Sequence, residues 1–353
     1  MQRKFLKTIA LATISIVTAA VHAQEEQVET PKLPFNLSGS VDAYYGVNLN
    51  TSNNANSIDS DAENYKSSFY KNDGFSVGMV NLVASKQVGK VGFVADLAYG
   101  PTADEAIEAT GTGVLINQLF VTYAPSESVN LTLGRFNTFL GYEVISPVGN
   151  FNYSTSHMFT NGPFTHSGLK ADFALNENWS LMTAIMNSTT SGVEGNEQGK
   201  YTGGLQVGYS NGKGSAYLNT LYGRNELNTQ ETFQVDLTTG WDFSEDFYLG
   251  LNTTYNDTDG SGFYGAALYP QLAVNEAFSL GLRGEYFNRF AEGADDESVF
   301  STTLTGAFTE GALTIKPEVR LDAWGNDVEP FTNNNGDATN QLSRFTLAAI
   351  YSF

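Results

Sequence analysis

The sequence predicts an all-β fold: a closed antiparallel transmembrane β-barrel of about sixteen strands, within bounds of about fourteen to eighteen. Three observations predict it. Segments with a two-residue period recur from Phe35 to Phe353. One face of each segment is apolar, and no second layer of apolar elements stands ready to cover it, which leaves lipid. Short turns alternate with long polar segments, and a closed barrel is the sheet that satisfies its backbone polar groups inside a bilayer.

The elements follow in chain order. Residues 1–23 read as a cleaved signal peptide. Arg3, Lys4 and Lys7 charge its start, Phe5 to Val21 is largely apolar, and Val21-His22-Ala23 offers a cut before Gln24. An anchor helix is the alternative; the short apolar run, with Glu25, Glu26 and Glu29 directly after it, argues against it. Residues 24–34, acidic and carrying Pro31 and Pro34, read as a short periplasmic tail of little order. Residues 35–353 form the barrel.

Its first strand sets Phe35, Leu37, Gly39, Val41, Ala43, Tyr45, Val47 and Leu49 against Asn36, Ser38, Ser40, Asp42, Tyr44, Gly46 and Asn48. A tilted spanning strand needs only ~9–11 residues. The same alternation runs from Tyr201 to Tyr209, Phe233 to Trp241, Phe247 to Tyr255 and Leu313 to Ala323. Pro317 counts against that last strand, because it cannot donate to a ladder. Phe75–Ser85 and Val299–Phe308 alternate poorly. The final strand puts Phe345, Leu347, Ala349, Tyr351 and Phe353 on one face. Turns are expected near Gly89, Ser126, Glu177, Gly212, Ser244, Asn275 and Gly311. Eight longer segments alternate with them: Asn50–Gly74, Gly100–Gly113, Asn137–His166, Asn187–Lys200, Arg224–Gln230, Asn256–Gly262, Phe287–Ser298 and Gly325–Gln341. Short periplasmic turns and long extracellular loops are the habit of outer-membrane barrels.

Composition excludes several functions. The formal charge is −20, and loss of the leader removes three more cations. Nucleic acid is excluded as a partner, since no basic surface exists to release phosphate counterions. The absence of Cys removes disulfide frameworks, thiolate metal sites and lipoprotein anchoring. The 18 Tyr and 24 Phe suit a chain that meets membrane–water boundaries.

The face opposite the apolar one is polar, and about sixteen strands leave room for an aqueous lumen. Inward charges by alternation are Asp42, Asp96, Lys170, Asp172, Asp236, Arg283, Glu285, Lys316, Glu318, Arg320 and Asp322. They would either set a field across the pore or merely keep the wall hydrated. The segment 137–166 is the longest loop and is aromatic, with Phe139, Tyr142, Phe151, Tyr153, Phe159 and Phe164. Such residues need a surface to pack on, and the inner wall is the nearest. Folded inward, the loop would narrow the channel, with Glu143 facing Arg135, Arg283 or Arg320 in a charged constriction. An external cap or an oligomer contact is the alternative.

The run Gly134-Arg135-Phe136-Asn137-Thr138-Phe139-Leu140-Gly141-Tyr142-Glu143-Val144, with Asn150-Phe151-Asn152-Tyr153-Ser154 and Gly162-Pro163-Phe164-Thr165-His166-Ser167-Gly168, resembles the OmpL-like β-barrel porin family common in Bacteroidetes. The resemblance covers most of the chain beyond the leader and includes the terminal Tyr351-Ser352-Phe353. It implies an outer-membrane barrel and little about substrate. Phe353 also fits the terminal signal read by barrel-insertion machinery.

No enzyme is expected. Beyond the leader only His157 and His166 remain as bases, and no nucleophile motif accompanies nearby Ser154, Ser156 or Ser167. His166 reads instead as a hydrogen-bonding residue at the loop root. Asn256-Asp257-Thr258-Asp259-Gly260-Ser261-Gly262 resembles half a calcium loop but lacks the ligand spacing and terminal Glu, and reads as an extracellular hairpin turn. No cofactor is implied. The expected function is passive diffusion of small hydrophilic solutes or ions across the outer membrane of a Gram-negative bacterium. A substrate-specific channel and a blocked structural or adhesive barrel are the rivals. Expected partners are outer-membrane lipid and lipopolysaccharide, the insertion machinery and the solutes, with a homo-oligomer also compatible. Pore constriction and lumen candidates are Arg135, Tyr142, Glu143, His166, Lys170, Asp172, Arg283, Glu285, Lys316, Glu318, Arg320 and Asp322.

Overall fold

The computed structural model describes residues 34–51, 60–69, 71–107, 115–189, 199–224, 230–325 and 328–353. The leader assigned to residues 1–23, and all of the tail but Pro34, lie outside them. Sixteen strands close into one antiparallel barrel. They are β1 (Asn36–Asn48), β2 (Gly74–Val88), β3 (Val91–Tyr99), β4 (Leu115–Ser126), β5 (Val129–Asn137), β6 (Thr165–Ala174), β7 (Trp179–Met186) and β8 (Thr202–Asn211), then β9 (Gly214–Arg224), β10 (Glu231–Asp242), β11 (Phe247–Thr258), β12 (Ser261–Ala273), β13 (Phe278–Phe290), β14 (Glu297–Glu310), β15 (Leu313–Trp324) and β18 (Gln341–Ser352). A small hairpin, β16 (Phe331–Thr332) and β17 (Ala338–Thr339), decorates the last loop. Helices are short: α1 (Pro101–Ala106), α2 (His157–Asn161) and a 3-10 turn at Ser60–Tyr65. Among the described residues, no helix is long and apolar enough to cross a membrane, which says nothing of strands.

The barrel closes where the chain ends. Gly39 and Phe353 exchange both backbone hydrogen bonds at 3.0 Å, and Ser40 to Asn48 pair with Ser352 to Arg344. Burial then alternates along the strands, because the side-chain period is two. On β1 the inward Ser40, Asp42, Tyr44 and Asn48 are buried, while Val41 is exposed outward. Outward Leu119, Leu133, Leu169, Ile185, Leu218, Leu268, Leu304 and Leu347 are exposed as well. A continuous apolar wall of this kind is foreign to a water-facing surface. Aromatic residues flank it at both ends. Trp179 packs on Tyr209 and Phe278 on Phe308 near the turns, and Tyr45 on Phe75 and Tyr264 on Tyr286 near the loops. Two such girdles match the two interfaces of a bilayer.

Irregular strands have local causes. The β1–β2 register shifts by one between Val41 and Ala43, so β2 bulges at Gly78-Met79 and its alternation changes phase. A second bulge, at Asn117 of β4, lets Asn117 and Gln118 both donate to Asp96 of β3, at 2.8 and 3.0 Å. Pro317 stays within β15, pairing with Leu347 of β18. Toward β14 the ladder runs from the Thr305–Glu318 pair to the Phe308–Ile315 pair, and Pro317 falls in the gap. One segment departs from the expected long loops. Asn256–Gly262 is a tight turn between β11 and β12, with φ of 47° at Asp259 and 85° at Gly260. Positive φ at both central residues is the geometry that matches strand twist in a two-residue hairpin.

The inner wall is not uniformly polar. Ala348 and Ile350 of β18 face inward and are buried with Tyr44, Met79, Ile145 and Tyr153. Residues 138–164, hereafter L3, supply two members of that cluster.

Candidate functional site

L3 leaves β5 and returns to β6 through a closed root. Thr138 N donates to Phe164 O at 3.0 Å, and Thr138 Oγ1 lies 2.9 Å from His166 Nε2. His166 is fully buried between Phe136 and Phe139. Arg135, also buried, donates Nε to the Asn117 carbonyl at 3.3 Å.

From the root L3 runs along the inner wall. Gly141 N donates to Asp236 of β10 at 3.0 Å. Asn219 and Asn252 hold that carboxylate from the neighbouring strands. The Tyr142 ring stacks on Tyr269 of β12 at 4.2 Å, and its hydroxyl donates to Tyr248 OH at 3.0 Å. Burial beside these phenols raises the Tyr142 hydroxyl well above its ordinary pKa of 10.0, so it stays a neutral donor.

The charged residues of β13 and β15 receive the middle of the loop. Arg283 Nη1 donates to Glu143 Oε1 and to the Ser154 carbonyl, both at 2.6 Å. Of the three arginines that the sequence left open for Glu143, Arg283 is the one it meets. Glu285 accepts from His157 N and Met158 N at 2.9 and 2.8 Å, at the start of α2. Glu318 accepts from Tyr153 N and Ser154 N at 2.7 and 3.0 Å. Lys316 donates to the carbonyls of Pro147 and Asn150 at 3.1 and 2.6 Å. Arg320 donates to the Thr155 carbonyl at 2.6 Å and through Nε to Asp322 at 2.8 Å. Asp322 lies 3.7 Å from His157 Nε2. None of these six wall residues is more than 6% exposed. Most of their polar atoms meet loop backbone, one another, Glu143 or neighbouring hydroxyls such as Thr303, Thr305 and Ser67. Of the buried side-chain atoms of these six, only Arg283 Nε and Arg320 Nη2 lack a hydrogen-bond partner among the described residues. Buried charges persist only when paired and hydrogen-bonded in this way.

Lys170 and Asp172 stand apart, nearer the turn end of β6. They pair with each other at 3.1 Å and remain partly exposed. The wall therefore divides into charges that bind L3 and charges that do not touch it. Sequence reasoning passed over Asp42, Tyr153, Asp236, Tyr248 and Tyr269 as site residues. Tyr153 OH donates to Asp42 Oδ2 at 2.5 Å, which carries L3 across to β1. Alternation already put Asp42 and Asp236 on the inner face; nothing in the pattern said that a loop would reach them.

The sequence model of the family described as "Putative beta-barrel porin-2, OmpL-like" matches residues 34–353. The chain belongs to this porin family. None of the curated proteins matches it. Solved structures share its fold at low identity. OmpT, an outer membrane protein of Vibrio cholerae, superimposes with a TM-score of 0.61 at 11% identity, covering 92% of this chain and 100% of that one. The outer membrane channel DcaP of Acinetobacter baumannii gives 0.61 at 15%, over 90% and 97%. An anion-selective porin from Comamonas acidovorans gives 0.61 at 12%, over 90% and 99%. The protein is an outer-membrane porin channel, and its family and fold point to solute passage and away from catalysis.

Proposed function

We propose that this porin passes small hydrophilic solutes or ions by passive diffusion, through a lumen that L3 narrows to a constriction. The observation that supports this reading most is the anchoring of one loop to inward side chains of β1, β10 to β13 and β15. A loop held at so many points is a fixed obstruction and sets a size limit. Most constriction candidates then act by positioning L3. Lys170 and Asp172 remain as half-exposed charges on the wall it leaves uncovered. Because the charges against L3 are largely paired, size would govern passage more than charge, with a mild cation preference from the acidic chain. Liposome swelling with sugars of increasing mass tests this reading. A sharp cutoff supports it; equal rates for all sugars contradict it. A reversal potential of anionic sign under a salt gradient would defeat the cation preference.

A blocked structural or adhesive barrel is the second reading. Its support is the apolar cluster inside the wall, where Tyr153 and Ile145 of L3 pack on Tyr44, Met79 and Ile350. Silence of the folded protein in planar bilayers would favour it. We also propose export through a leader cleaved before Gln24, insertion directed by the strand ending in Phe353, and contact of the outer wall with lipid and lipopolysaccharide. The mass of the mature protein and the assembly yield after deletion of Phe353 check the first two.

A further inference from the structure

The loop end of the barrel holds a pocket that narrowing of the lumen does not require. Its volume is ≈ 490 Å³, within the range of about 300–1,000 Å³ usual for small-molecule sites. It lies between residues 63–66 with Lys71, α2 and the loop ends of β13 and β15.

Four rings line it: Tyr65, His157, Phe287 and Trp324. Tyr65 and Trp324 meet edge to face at 5.0 Å. The Arg289 guanidinium lies 4.5 Å from the first ring centroid and 5.3 Å from the second. The Trp324 indole nitrogen is buried, in a residue 2% exposed, and has no hydrogen-bond partner among the described residues. Indole N–H can only donate, so this wall offers a buried donor suited to a ligand oxygen.

The pocket's cations are matched. Lys66 meets Glu63 at 2.7 Å, Lys71 meets Glu105 at 2.8 Å, and Arg289 meets Glu297. Three cations against three carboxylates leave little net field for an ion. What remains is the half-buried Tyr65 ring, with Phe287 and Trp324 buried behind it, beside a mixture of N–H donors and carboxylate and amide acceptors. That mixture complements a compact ring bearing hydroxyls, which both donate and accept, and whose C–H face packs on aromatic carbon.

We propose that this pocket binds a neutral saccharide of one or two rings at the loop-side mouth of the barrel. Transport of that saccharide rests on the porin reading above; binding does not. The test is calorimetric titration of the folded, detergent-solubilised protein with glucose, maltose, mannitol and benzoate. Saturable binding of glucose or maltose is expected, at least tenfold weaker in Trp324→Phe and unchanged in Trp179→Phe, whose ring lies on the outer wall. Tyr65→Leu, in a loop segment outside the barrel ladder, should give the same loss and guards against misfolding of the first variant. The inference is overturned if neither sugar binds, if acyclic mannitol or anionic benzoate binds as tightly, or if both pocket variants keep wild-type affinity. Lost binding with intact conductance defeats this inference alone; intact binding without conductance defeats the diffusion reading alone.

Discussion

Glu143 and Arg283 lie 140 positions apart in sequence and meet at 2.6 Å, both withdrawn from solvent. The first sits on L3 and the second on the barrel wall, so this pair joins the loop to its support. Removing one partner leaves the other as a buried, uncompensated charge, at a cost of about 3–5 kcal/mol. Glu143→Ala should therefore lower the unfolding free energy by that order. In a double-mutant cycle with Arg283→Met the coupling should reach about 0.5–3 kcal/mol. Urea unfolding in detergent measures both, and additive losses would mean that the two residues act independently.

Gly78 is needed where β2 bulges. A Cβ there would lie 1.7 Å from Asp42 Oδ2. Asp42 would have to leave Met79 N, which donates to it at 2.9 Å, and Tyr153 OH. Gly78→Ala should cost about 1–3 kcal/mol as an overpacked site. It should also speed amide exchange around Tyr153, far away in sequence. Unchanged exchange there would separate the bulge from the loop.

Leu304, half-way along β14, points outward and is 51% exposed. If lipid covers it, Leu304→Arg should destabilise the barrel by about 2–4 kcal/mol, the mid-bilayer value. Folding titrations in lipid vesicles give the figure. A neutral result would put Leu304 in contact with water.

Tyr142 makes alkaline stability informative. Its hydroxyl is held well above 10.0 in the folded state by burial and by Tyr248. Such a group contributes its stability in full below the unfolded value of about 10 and loses it as pH rises toward the folded value. Stability should fall as pH climbs above about 10, less steeply in Tyr142→Phe. Urea midpoints at about pH 9 and 11 supply the comparison, and parallel slopes would exclude Tyr142 as a source.

The sixteen strands and their seven turns were legible because alternation and turn residues are local signals. β2 was blurred because one extra residue at Gly78-Met79 reverses its phase, and a bulge has no sequence period of its own. Asp259-Gly260 was legible as a hairpin turn, but the loop drawn around it was too long because its polar flanks are in fact strand ends. The helices α1 and α2 are too short to carry a helical period. The contents of the site were legible as residues and illegible as pairs. Arg283, Glu285, Lys316 and Glu318 declare an inward charge, but their partners are largely backbone groups of L3, and a backbone N–H leaves no trace in a side-chain pattern. Ile350, on the inward face of β18, is covered by Ile145 and Tyr153 of L3, and no local pattern announces that contact.

Single-channel recording on Glu285→Gln/Glu318→Gln tests most directly whether L3 sets the conducting width. Each carboxylate accepts two loop N–H groups, and an amide offers one oxygen and turns its NH₂ toward the other donor. The wild-type protein should give discrete conductance steps, and the double variant larger and noisier ones. Steps of identical size in the two proteins, with both folded, would contradict the constriction.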